Sequence, residues 1–215
     1  MTERGRFITL EGGEGAGKST QARRLAEWLR GEGIEVLLTR EPGGSPHAEA
    51  LRELLLAGQI APFGAEAEAL VFAIARADHL GARIRPALEK GAWVISDRFL
   101  DSTWAYQGAA GVADARLAEL DRIAVGADRP DLTLILDLAP DEGLRRMRER
   151  MAAAPDRFER DGLAVHEARR RRFLDIAARE PGRCVVIDAG REEGTVAEAI
   201  RTAVKSRLMT GRTAA

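Results

Sequence analysis

The chain has 215 residues and a single cysteine, Cys184, which excludes an internal disulfide and a structural thiolate zinc site. A formal net charge of −1 gives no global pull toward nucleic acid or an anionic membrane, and no apolar run suggests a membrane span. Arginine carries nearly all the positive charge, since the lysines are only Lys18, Lys90 and Lys205. Convergent guanidinium forks would suit phosphate esters, although an arginine-biased composition produces the same total.

Met1 to Arg6 lacks the basic-then-apolar layout of a signal peptide, so a cytoplasmic protein is expected. Arg6 to Glu11 reads as a short strand that runs into a glycine-rich turn. From Lys18 to Arg30, Ala22, Leu25, Ala26 and Leu29 recur at helical spacing, and Gly31 and Gly33 stop that helix. Ile34 to Thr39 reads as a second strand, Pro42 to Pro46 as a loop, and Leu51, Leu54 and Leu55 as the apolar stripe of a helix. A long helical region spans Gly64 to Lys90, with a kink expected near Gly81 and Pro86. Trp93 to Ser96 is the third strand and delivers Asp97 and Arg98 at its C-terminal end. Leu132–Leu138 and Cys184–Asp188 are the fourth and fifth strands, with Cys184 as a small apolar residue inside the last. Helices are expected over Asp114–Val125, Asp141–Met151, Leu163–Arg179 and Val196–Leu208.

Strands alternating with helices predict an α/β fold, a five-stranded parallel sheet with helices on both faces. Residues 1–209 are expected to form one domain, ahead of a disordered tail over 210–215. Within it, arginine is dense between Arg145 and Arg172, Ala152-Ala153-Ala154-Pro155 interrupts the helical pattern, and the lid is expected over about 145–162. That stretch reads either as a small basic lid joining two helices or as a solvated charged face.

Gly12-Gly13-Glu14-Gly15-Ala16-Gly17-Lys18-Ser19 fits the P-loop pattern, between a strand and a helix as the motif requires. Glycines let successive backbone N–H groups converge on phosphates, and the helix N-terminus adds partial positive charge. Lys18 is expected on the β- and γ-phosphates of ATP, and the Ser19 hydroxyl on Mg2+. The chain has no asparagine, so it lacks the Asn-Lys-x-Asp guanine reader of GTPases. A kinase of a small acceptor remains, and it needs a second anion site facing the P-loop. Asp97 and Arg98, just beyond a strand end, are the candidates: Asp97 for the Mg2+ shell and Arg98 for the acceptor phosphate. A helix N-cap and a surface ion pair are the structural alternatives for these two. His47, His79 and His166 have no evident part and are expected at surface or helix positions.

The P-loop, Thr39-Arg40-Glu41-Pro42-Gly43-Gly44, Asp97-Arg98, Ser102-Thr103-Trp104-Ala105-Tyr106-Gln107-Gly108 and Arg129-Pro130-Asp131-Leu132 occur in this order. Over nearly its whole length the chain thereby resembles bacterial thymidylate kinases. The resemblance implies dTMP and ATP as substrates, Mg2+ as cofactor and a homodimer built through helices of the middle region. It implies Phe72 as the ring stacked on thymine and Arg76 as donor to the base carbonyl O4, four residues apart on one helix face. Thr103 and Gln107 would line the base and sugar site, Tyr106 would close off the 2′ position, and Arg40 and Arg52 would lie near the acceptor phosphate. Glu14 stands in the P-loop, where one branch of the family carries an arginine; the other branch draws that cation from the lid. Asp156-Arg157-Phe158-Glu159 resembles the lid motif, so Arg157 is the implied lid cation, with Arg160 and Arg150 in reserve.

Overall fold

The computed structural model describes residues 3–150, 157–159 and 161–209. Five parallel strands form one sheet: β1 (Phe7–Gly12), β2 (Val36–Arg40), β3 (Trp93–Asp97), β4 (Leu132–Asp137) and β5 (Cys184–Asp188), in the order β2-β3-β1-β4-β5. The chain leaves β1 to one side for β2 and β3, then crosses to the other side for β4 and β5. The C-terminal ends of β1 and β3 therefore border the switch point where such sheets bind ligands. This is the fold class read from the sequence.

Both faces of the sheet are covered. On one face α1 (Lys18–Gly31) and α9 (Glu193–Val204) bury Leu25, Leu29 and Ile200 against Ile8, Leu10, Leu134 and Leu136. On the other lie α5 (Leu100–Ala109) and α8 (Leu163–Arg179), together with α4 (Arg85–Glu89). Against α5 pack α3 (Ala65–His79) and α6 (Asp114–Ala124), while α2 (Pro46–Leu56) packs on α3 and α7 (Pro140–Arg150) on α8. The Gly64–Lys90 region is α3, a π-helical turn at Leu80–Ile84, and α4 with Pro86 in its first turn. Pro86 follows directly on the wide turn in which Arg85 N–H reaches back to Leu80 O.

One strand starts later than its sequence suggests. Gly33 adopts φ 77° and donates to Arg30 O, while Ile34 N–H donates to Leu29 O at 3.0 Å. Ile34 is thus spent on closing α1, and β2 begins at Val36. Cys184 is buried in β5, and burial pushes its thiol up to about 12.

Alternation along β1 sends Ile8 and Leu10 to the α1 face and Thr9 and Glu11 to the other, where both polar side chains are fully buried. They are satisfied there. Thr9 Oγ1 meets Thr133 Oγ1 at 2.8 Å, and Arg183 grips both oxygens of buried Asp101 at 2.8 and 2.9 Å. Glu11 accepts the Phe99 N–H at 2.8 Å and the Ser102 hydroxyl at 2.5 Å. Burial, seconded by the Asp101 charge, pushes the Glu11 carboxyl up to about 8, against the opposing pull of Ser102 and Arg98.

The basic stretch resolves into separate pairs. Arg145 and Arg146 bind Glu142, Arg169 binds Asp161, Arg170 binds Asp137 and Arg172 binds Asp114. None of these five arginines lines the cavity described below; Arg145, Arg146, Arg170 and Arg172 keep solvent-accessible side chains, which is the charged-face alternative, whereas Arg169 is buried. The Ala152–Pro155 interruption, Asp156, Arg160, the Arg150 side chain and the tail over 210–215 lie outside the described residues.

Candidate active site

The strand-to-helix turn after β1 is built by contacts that exclude side chains. Gly12 adopts φ 135°, and a Cβ there would fall 2.4 Å from the Leu136 carbonyl oxygen. A Cβ on Gly15 would fall 2.2 Å from the Gly143 carbonyl oxygen, and one on Gly143 would fall 2.4 Å from that of Glu14. The first turn of α7 therefore rests on the loop backbone. Gly17, at φ 84°, caps α1, a 14-residue helix with no acidic side chain in its first turn. Its positive N-terminal field is unopposed by that turn. Lys18 Nζ donates to Gly13 O at 2.7 Å and Gly12 O at 3.2 Å. Burial and the charge of Arg98 depress its pKa to about 8, despite Glu14, Asp97 and Glu11 nearby. Ser19 Oγ donates to Asp97 Oδ2, so the loop hydroxyl and the β3 carboxylate share one spot.

A cavity of about 510 Å³ opens above this turn. One end is lined by Glu14, Gly15, Lys18, Ser19 and Asp97; the other by Arg40, Arg52, Phe72, Arg76, Thr103, Tyr106 and Phe158; Arg98 lies between. Arg98 is the only non-glycine residue among those described with positive φ, at 68°. A left-handed backbone at such a residue is strained and persists when its surroundings over-determine it. Here Arg98 N–H donates to Leu10 O at 2.9 Å, and Ser96 Oγ donates to Arg98 O at 2.7 Å. Its guanidinium then donates to Glu14 Oε1 at 2.7 Å, Ser102 Oγ at 3.1 Å and Gly12 O at 3.2 Å. Tyr106 OH donates to the same Glu14 oxygen at 2.6 Å, with the Arg98 guanidinium 5.1 Å from its ring centre. Burial opposes the Glu14 charge, but Arg98, Lys18 and the Tyr106 hydroxyl outweigh it and hold the carboxyl at about 2.

At the far end, Phe72 and Arg76 share the cavity-facing side of α3. Arg76 is buried, donating from Nε to Glu41 at 2.8 Å and from Nη2 to Phe99 O and Thr103 Oγ1, both at 3.1 Å. Nη1 donates to nothing among the described residues, which leaves two N–H groups on a residue that lines the cavity. Glu41 also meets His79 Nδ1 at 3.1 Å, and His79 Nε2 meets Thr39 Oγ1 at 2.8 Å. All three histidines lie in helices; His79 is fully buried, His166 is buried, and His47 is exposed.

The remaining candidates divide. Arg40 pairs with Glu49 at 3.0 Å, Arg52 donates to Pro42 O at 2.7 Å, and both line the cavity. Gln107 does not line it: buried one turn beyond Thr103, it donates to Glu68 at 3.4 Å. Arg157 does not line it either, because its Nη2 pairs with the buried Glu68 carboxylate at 3.0 Å. Sequence reasoning missed Glu11, Glu41, Ser102 and Phe158 as parts of this site. Glu41, Ser102 and Phe158 each stood inside a motif that carries the resemblance, whereas Glu11 had no such mark. No cluster of three His, Cys, Asp or Glu side chains among the described residues could hold a metal ion.

Comparison with known proteins agrees with this geometry. The family description "Thymidylate kinase" matches residues 10–200. A thymidylate kinase of Afipia carboxidovorans is 55% identical over 207 residues, 95% of this chain and 91% of that protein. One from Bradyrhizobium sp. is 52% identical over 214 residues, 99% of this chain and 95% of that protein. The crystal structure of thymidylate kinase from Ehrlichia chaffeensis superposes with a TM-score of 0.76 at 32% identity, covering 94% of this chain and 99% of that one. With a P-loop, a strained arginine beyond β3 and a matching fold over nearly its full length, the chain belongs to the thymidylate kinase family.

Proposed function

We propose that this chain transfers the γ-phosphoryl group of ATP to a phosphate oxygen of dTMP, giving ADP and dTDP, in dTTP synthesis. One observation carries this reading: a single cavity is lined both by the P-loop and by an arginine-and-aromatic end able to hold a second nucleotide. Family membership supports dTMP and ATP as the substrates.

In-line transfer between two phosphates needs no nucleophilic side chain, because the acceptor is already an anion. Positioning and charge stabilisation supply the catalysis. The backbone from Gly12 to Gly17, with Ala16, cradles the donor phosphates, and Lys18 neutralises them. Arg98 stands between the two ends of the cavity, where donor and acceptor phosphates would meet, with Glu14 fixing its guanidinium. Arg40 and Arg52 face the acceptor phosphate, Phe72 stacks on thymine, and the Nη1 donors of Arg76 suit its O4. Thr103 and Tyr106 bound the sugar side, with Gln107 behind them. Ser19 and Asp97 would hold Mg2+, Asp97 through water. An ion bound there supplies charge neutralisation on the phosphate oxygens, and phosphate and water oxygens suit a cation lacking a full protein cage. Exposed Leu70 and Ile74 on α3 and Ile123 on α6 support a homodimer through the middle helices. No helix among the described residues is long and apolar enough to cross a membrane, and the reading places the reaction in the cytoplasm.

The test is ADP release with ATP and a panel of acceptors: dTMP, dUMP, AMP, GMP and dCMP. The highest kcat/KM is expected for dTMP. dUMP lacks one methyl group, worth about 1–3 kcal/mol, so it should be slower by about 10- to 200-fold yet measurable. Equal efficiency on both would overturn the thymine assignment, and no acceptor-stimulated ADP release would overturn the kinase.

Arg157 stays our candidate for the lid cation on the strength of its motif. Arg157→Ala is expected to lower kcat far more than it raises the KM for dTMP, because the charge it would meet peaks in the transition state. An unchanged kcat with a lowered melting temperature would reduce Arg157 to the structural partner of Glu68.

A further inference from the structure

The acceptor end of the cavity takes part of its shape from a residue outside it. Arg169, on α8, is 5% exposed and does not line the cavity. Its Nη1 donates to the Phe158 carbonyl at 3.1 Å, and its Nη2 pairs with the Asp161 carboxylate. Its guanidinium carbon lies 4.3 Å from the centre of the Tyr106 ring, the closest such approach among the described residues. One side chain thus touches both the lid segment and α5. His166, one turn earlier on α8, donates to the Asp161 carbonyl at 3.1 Å and gives the same segment a second anchor.

The two residues that Arg169 holds are cavity walls. Phe158 and Tyr106 both line the space, with ring centres 5.9 Å apart and planes 79° apart. Phe158 also packs against Phe72, with ring centres 6.0 Å apart. Arg169 Nε is buried without a hydrogen-bond partner among the described residues. A buried donor left unpaired opposes folding, so packing alone would favour an apolar side chain at this position. What the arginine adds is direction: a planar fork fixes the carbonyl and the carboxylate of the lid segment while its face lies on the tyrosine.

We propose that Arg169 is a positioning residue that fixes Phe158 and Tyr106 as one wall of the acceptor site, and through them sets the discrimination between deoxyribose and ribose monophosphates. The proposal rests on the dTMP reading above. Tyr106 is aimed by three groups: Glu14 at its hydroxyl, Arg98 near its ring, and Arg169 on its ring. Removing Arg169 loosens the ring and the lid segment together, each keeping its other anchors, while leaving the P-loop hydrogen bonds in place.

Arg169→Leu and Arg169→Lys, assayed at varied dTMP, thymidine ribonucleotide monophosphate and ATP alongside melting temperatures, test this. For Arg169→Leu the KM for dTMP is expected to rise about tenfold, and the deoxyribo-to-ribo ratio of kcat/KM to fall by a similar factor. The KM for ATP should stay within about twofold. Arg169→Lys keeps the charge but loses the fork, so it should recover only part of the ratio, and it also serves if Arg169→Leu does not fold. A folded variant with a lower melting temperature but wild-type dTMP KM and ratio would overturn the proposal, leaving Arg169 merely structural. A wild-type enzyme with no dTMP-stimulated ADP release would overturn the acceptor reading and this inference with it.

Discussion

Lys18→Ala is expected to abolish phosphoryl transfer while leaving the fold intact. Among the described residues the Lys18 ammonium hydrogen-bonds only to the Gly12 and Gly13 carbonyls, both within its own loop. Its removal breaks no hydrogen bond between distant elements among the described residues, so the melting temperature should stay near wild type. Its chemical role is different in scale. Removing one preorganised donor from developing charge costs about 10²–10³ in kcat, and loss of donor-phosphate binding adds to that. Burial beside Arg98 holds Lys18 at about 8, so the free enzyme loses this charge as the pH rises past that value. The kcat/KM for ATP, which reports the free enzyme, should fall above about pH 8 in the wild type. The kcat should hold further into alkali, because bound phosphates favour the charged amine. Wild-type turnover by a folded Lys18→Ala protein would sink the mechanism.

Arg98→Ala should be the second most damaging change, and it should act on stability and activity together. Truncating one partner of a buried, hydrogen-bonded charge pair costs about 2–5 kcal/mol, much of it the penalty on the charge left behind, and the part-buried Arg98–Glu14 pair, 17% exposed on each side, belongs toward the lower figure. Here Glu14 would be left, since its depressed pKa depends on Arg98 first among the favourable contacts. Expressed as acceptor binding, the same energies correspond to a loss of about 30- to 5,000-fold in kcat/KM for dTMP. The double substitution Glu14→Gln with Arg98→Ala separates the effects: it should restore part of the stability and none of the activity. If Arg98→Ala retained wild-type kcat/KM for dTMP, Arg98 would be only the counter-ion of Glu14.

How much of this was legible depended on whether the signal was local. The P-loop announced itself because its glycines, lysine and serine are contiguous and the contact rules of a strand-to-helix turn dictate them. Asp97 and Arg98 were placed by topology, since the end of a parallel strand is where ligands bind. Helix α5 was legible only as a motif. Leu100, Asp101, Thr103, Ala105, Tyr106 and Gln107 are all buried, so it has no polar face to create a 3.6-residue rhythm. Phe72 had no local mark of function; only its family position separated it from ordinary core packing. Glu41 and Arg76 are 35 residues apart, and nothing in either segment reveals that they meet. The arginine-dense stretch shows the same limit. Its partners Asp114 and Asp137 lie on other elements, so charge density alone left its role undecided between lid and surface.

The contact between Gly15 and Gly143 has a consequence for how this enzyme can vary. Two positions 128 residues apart are closed to any side chain, each because of the main chain of the other segment. The nucleotide-gripping turn and the stem of the arginine-rich arm therefore stand on a common footing, with no adjustable side chain interposed. Remodelling of the arm is confined to residues beyond that pivot, since a displacement of its base would be felt directly by the amides proposed to hold the donor.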